Sequence, residues 1–90
     1  MNKARRQQLA AIVARMEELK SLAEAIRDDA DALKDEEQEY FDNMPESFQQ
    51  GEKGQAAEQA VSQMDDAISA LDDIQSSLDD AISNLETAAE

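Results

Sequence analysis

The feature that most restricts the fold is a seven-residue rhythm of apolar side chains that runs through both halves of the chain. In the first half Leu9, Ile12, Met16, Leu19, Ala23, Ile26, Ala30 and Leu33 follow one another at alternating steps of three and four. With Leu9 at heptad position a and Ile12 at d, the register continues through Glu37 (a), Tyr40 (d) and Met44 (a). Apolar residues never alternate with period two, so the strand template fails and the helical one holds. In the second half Val61, Ile68, Gln75, Ile82 and Ala89 occupy a, and Met64, Leu71, Leu78 and Leu85 occupy d, without a slip. The units MDDAISA, LDDIQSS and LDDAISN repeat almost unchanged. A sustained 3.5-residue period makes packed helices supercoil left-handedly.

The helices are interrupted once. Both glycines and the only proline fall between positions 45 and 54. The spacing predicts one domain: a helix over 4–42, a turn over 43–54 and a second helix over 55–88. In that turn Asn43 can cap a short helical segment that has Pro45 in its first positions, where a missing N–H costs nothing. Gly51 is expected to end it in a left-handed conformation, with Gly54 allowing the next reversal. Phe48 is expected to fold back and plug the end of the helix interface.

Charge fixes the relative direction of the helices. The e positions are Val13, Lys20, Arg27 and Lys34 in the first helix, and Asp65, Asp72, Asp79 and Glu86 in the second. In an antiparallel pair e faces e, so Lys34 meets Asp65, Arg27 meets Asp72 and Lys20 meets Asp79. Exposed pairs of this kind contribute little stability, but they select orientation. The expected fold class is therefore all-α, an antiparallel helical hairpin of coiled-coil type.

Two helices cannot cover all the apolar surface. The g positions of the second helix are Ala60, Ala67, Ile74, Ala81 and Ala88, and Leu22 takes a g position in the first. A face with a, d and g apolar suits a bundle better than a pair. The expectation is a homodimer of hairpins forming a four-helix bundle, or docking of the hairpin on a partner's helices.

Composition narrows the chemistry. Histidine and cysteine are absent, which excludes disulfides, thiolate nucleophiles, Cys/His zinc sites and imidazole acid–base catalysis. The net charge of −14 disfavours direct binding to nucleic acid or anionic lipid. It is also polarised: residues 1–27 carry +3, residues 28–54 carry −8 and residues 55–90 carry −9. Residues 1–15 lack the continuous apolar run of a signal peptide, and no stretch reaches the roughly 20 apolar residues of a membrane span. A cytoplasmic location is the expectation.

Several motifs admit a sharper reading beside an ordinary one. Asp66, Asp73 and Asp80 recur beside the acids already assigned to Lys and Arg. They either keep a helix face solvated or imitate phosphates for a DNA-binding protein. Asp35, Glu36, Glu37 and Glu39 crowd together but lack EF-hand spacing and point in different directions, so no metal and no cofactor is expected. Glu37 and Gln75 at a positions read as register-setting polar residues. Ser62, Ser69, Ser76 and Ser83 have no base beside them. Lys3, Arg5, Arg6 and Arg15 read as a complement to the acidic end of the second helix. No enzyme can be assembled from this inventory.

The segment EYFDNMPESFQQGEKG, Glu39 to Gly54, with the acidic Ile/Leu heptads after it, resembles a group of small uncharacterised phage and prophage proteins. These share a Tyr-Phe/Tyr-Asp-Asn-Met-Pro-Glu element ahead of a repetitive acidic helix. The likeness covers roughly residues 35–90. It implies an accessory protein working in a bacterial cytoplasm, and it makes Tyr40, Phe41, Met44, Pro45 and Phe48 a candidate contact surface, unless they merely build the turn. The function expected is non-enzymatic binding of a host or phage protein, including inhibition by DNA mimicry. The alternative is a scaffold or chaperone-like assembly component.

Overall fold

The computed structural model describes residues 1–90. Three helices follow in order: α1 over Lys3–Asp42, α2 over Glu46–Gln49 and α3 over Glu52–Ala88. There is no strand. The two long helices lie side by side in a rod of 68 × 15 × 13 Å, the length expected for about 40 residues rising about 1.5 Å each with a turn added.

Local chemistry sets the ends. Asn2 caps α1: its Oδ1 accepts from the Arg5 backbone N–H at 2.8 Å, satisfying one of the orphan donors of the first turn. Asn43 closes α1 rather than opening the next segment, its N–H donating to the Glu39 carbonyl at 3.0 Å. The cap of α2 is Pro45, whose carbonyl accepts from the N–H groups of Phe48 and Gln49 at 2.9 and 3.0 Å. The Gln49 side-chain amide then donates to the Phe41 carbonyl at 3.0 Å, tying the turn back to α1.

The turn is tighter than its sequence suggests. Gly51 is not left-handed; it has φ −88° and ψ −171°, and it is the N-cap of α3. No residue has positive φ. The second long helix therefore starts at Glu52, not 55, and takes in Gly54. Gly54 is buried because the backbone of Gln49 lies directly on it; a Cβ there would sit 2.5 Å from Gln49 Cα. Gly54 serves close approach instead of chain reversal. Ala57, one turn on, is the most buried side chain at 2% exposure. These two small residues, at a and d of the α3 register, let α2 close the end of the seam. Phe48 is 58% exposed; it does not plug the interface, because backbone already fills that space.

Along the rod the seam is asymmetric. In α3 the residues turned inward are those at a and d, with Ile68 and Ile82 buried and Met64, Leu71, Leu78 and Leu85 half-buried. In α1 the inward positions are a and e: Ala23 is buried, and Leu9, Val13, Met16, Lys20, Arg27, Ala30 and Lys34 are half-buried. The d row of α1, expected in the seam, lies at its edge and is open to solvent. Two causes act together. The cations at e must lean over the seam to reach the acids of α3, and the small a residues Ala23 and Ala30 let α3 approach that side of α1 closely. Burying Ile68 and Ile82 stabilises the hairpin by about 1.5–3 kcal/mol each before entropy.

Candidate interaction surfaces

One flank of the hairpin is electrostatic. Lys20 Nζ lies 2.6 Å from Asp79 Oδ1, Arg27 Nε 3.2 Å from Asp72 Oδ1, and Lys34 Nζ 3.0 Å from Asp65 Oδ1. These are the three cross-helix pairs expected from the e positions. The Lys20 and Lys34 ammonium pKa values are raised above the ordinary 10.5, chiefly by the hydrogen bonds to Asp79 and Asp65. The Arg27 guanidinium is raised above its ordinary value, chiefly by the charge of Asp72. Within α1, Asp28 and Asp31 approach Arg27 at 3.7 and 4.0 Å, and Asp31 approaches Lys34 at 3.6 Å. The cations thus gather acids from both helices into a band along one side of the rod.

The opposite flank has the reverse character. Ile12, Leu19, Ile26, Leu33 and Tyr40, at intervals of seven, are 43%, 50%, 46%, 58% and 51% exposed, with Leu22 beside them at 57%. Ile12 to Tyr40 covers about 42 Å of helix at about 1.5 Å per residue. Because e faces e on the ion-paired side, g faces g on this one, and α3 contributes its g row. That row holds alanines and the half-exposed Ile74. The c row of α3 is Ala56, Gln63, Ala70, Ser77 and Asn84, so from Ala56 to Ala88 no charge stands at c or g. A shallow groove runs along α1 between Ile12, Met16, Leu19 and Leu22, with Arg15 and Glu18 on its rims.

The sequence-derived candidates fall in two places. At the turn end Tyr40 and Phe48 are exposed, while Phe41 and Met44 are half-buried. Phe41 and Met44 continue the inward rows of α1, so they are shared between the seam and any surface there. Asp66, Asp73 and Asp80 lie on the outer side of α3, exposed and outside every ion pair. They are separated from the turn cluster along the rod and do not form one site with it. No group of three or more acidic side chains is arranged to hold a metal ion, and no helix is long and apolar enough to cross a membrane. The exposed d row of α1 is the surface that heptad reasoning misses, because that reasoning assigns d to the core. The signal available was that e in α1 holds cations with partners on α3, which turns α1 away from an a/d-centred seam.

No protein-family model matches this chain, and no curated protein or solved structure matches it either.

Proposed function

We infer that this chain is a non-enzymatic protein-binding module whose working surface is the flank that carries the exposed apolar row of α1. The observation that carries the reading is the row Ile12, Leu19, Ile26, Leu33 and Tyr40, about half exposed over five successive heptads. Isolated exposed apolar residues need no explanation, but a contiguous stripe of this length marks an association surface. Only 5 of 90 residues are buried in the hairpin itself, so covering the stripe would add burial that the two helices do not provide. Docking of a second hairpin to complete a four-helix bundle satisfies that need. A flank about 42 Å long and about two helix diameters wide offers about 800 Å² per protomer, the size of a standard specific interface.

In this reading the ends and outer faces remain free for a further protein partner. Phe48 would supply an apolar anchor at the turn, and Asp66, Asp73 and Asp80 a row of carboxylates about 10 Å apart. The exposed, unpaired state of that row supports DNA mimicry toward a basic protein surface. The likeness of the Glu39–Gly54 segment to phage and prophage proteins suggests a viral accessory role in a bacterial cytoplasm.

Sedimentation equilibrium from 1 to 100 µM (about the range that brackets a micromolar Kd) tests the module. The expected result is a dimer for the native chain and a monomer for Leu19→Glu/Leu33→Glu, both helical. A native chain that stays monomeric would remove the bundle from the reading. Capture of a basic partner that weakens when Asp66, Asp73 and Asp80 become Asn, and that DNA displaces, would support mimicry.

A further inference from the structure

We propose that the occupant of this apolar flank is a second copy docked antiparallel, α1 on α1 and α3 on α3, about a two-fold axis crossing α1 between Glu24 and Ala25. The proposal rests on the binding-module reading and specifies its geometry. The first of three features sets the direction of the partner, and the other two concern the register.

The first is charge along α1. Its N-terminal part belongs to a segment of +3, and its C-terminal part to one of −8. A parallel partner would lay acids on acids, and like charges in register across an interface disfavour it. An antiparallel partner lays the basic half on the acidic half twice, once on each side of the axis.

The second is register. Centring the exposed row on that axis sets Met16, half-buried at the edge of the hairpin seam, against the partner's exposed Leu33. In that register the g row of α1 sets Arg15 against the partner's Glu36, and Leu22 against the partner's Asp29. Arg15 and Glu36 are exposed, and neither takes part in any ion pair within the hairpin. Arg15 also stands on the rim of the groove that the partner would enter.

The third is α3. The same axis passes α3 near Ser76 and Ser77, where its g row sets Ile74 against the partner's Ala81. Around it the c and g rows are uncharged and, apart from Ile74, small (Ala67, Ala70, Ser77, Ala81), so the two α3 helices can approach closely. One axis satisfies both helices, as a closed two-fold assembly requires.

The geometry predicts a selective exchange of charge. Arg15→Glu sets two acids against each other at both contacts of its own dimer, and Glu36→Arg sets two arginines against each other in its own. In the mixed dimer the introduced glutamate of one chain faces the introduced arginine of the other. The native Glu36 of the first chain then faces the native Arg15 of the second, so every pair is complementary. Each variant alone is expected to dimerise about tenfold more weakly than the native chain, and the mixture to recover near-native affinity. Because both positions are exposed on α1, helicity should be unchanged. As an independent measure, a single spin label at Gln8→Cys should show an interprotomer distance of about 50 Å. Preferential pairing in the mixture and that long distance support the arrangement. A dimer showing no preference, or with labels within about 20 Å, overturns the antiparallel geometry while leaving the module intact. A native chain without any dimer overturns both.

Discussion

Lys20 Nζ and Asp79 Oδ1 stand 2.6 Å apart across the two long helices, although 58 positions separate them in the chain. The contact fixes both the direction of α3 and its axial register against α1. Both side chains are partly exposed, 33% and 55%, so the pair orients the helices more than it stabilises them.

Charge reversal separates orientation from stability. Lys20→Glu and Asp79→Lys should each lower the melting temperature by a few degrees at low salt, and the double variant should restore most of the loss. At 1 M salt, where the screening length is about 3 Å, all four proteins should converge. Thermal denaturation followed by circular dichroism reads both effects.

The raised ammonium values give a pH dependence on the alkaline side. Lys20 and Lys34 hold their protons more tightly folded than unfolded. The stability they contribute is therefore complete below pH 10.5 and is lost as pH rises through the higher folded values. Melts between pH 8 and 12 should show a fall above pH 10.5, and Asp65→Asn/Asp79→Asn should flatten it.

Gly54 and Gly51 should respond oppositely to substitution. Gly54→Ala drives a methyl group into the Gln49 backbone and should cost about 1–3 kcal/mol in urea denaturation. Gly51→Ser places a capping hydroxyl at an extended N-cap position and should gain a few tenths of a kcal/mol.

How far the sequence discloses this molecule follows from the kind of physics at each position. The hairpin and its three cross-helix pairs were readable because heptad period and e-position charge are both written locally. The long helices end at Asp42 and Ala88, just short of the last apolar a positions Met44 and Ala89, and the cap at Asn2 starts the first of them one residue earlier than the spacing predicts. The rotation of α1 was not readable, because it depends on how two helices share one seam: the a/e side wins when e carries cations whose partners lie opposite. The turn misled for a similar reason. Glycine signals either positive φ or close approach, and only the position of Gln49 over Gly54 decides between them. Tyr40, Phe48 and the acid row of α3 lie on the surface, because they stand outside the a and e rows of α1 and the a and d rows of α3 that form the seam.

Burial separates the two kinds of large residue. Ile68→Ala and Ile82→Ala should each cost about 2–5 kcal/mol, toward the lower end because the core of a two-helix rod is thin. Phe48→Ala should change stability by less than about 0.5 kcal/mol, as for a surface substitution. Chemical denaturation of the three variants at one protein concentration makes the comparison.

The antiparallel contact within a single chain is the premise of every surface described above, and zero-length cross-linking of mixed ¹⁴N- and ¹⁵N-labelled protein tests it. A carbodiimide joins an amine to a carboxylate only at ion-pair distance, so Lys20–Asp79 and Lys34–Asp65 peptides should form. Cross-linked peptides of uniform isotope, light with light and heavy with heavy, are the predicted result. Light–heavy peptides in statistical proportion would show that the pairs form between chains, and the hairpin would be wrong.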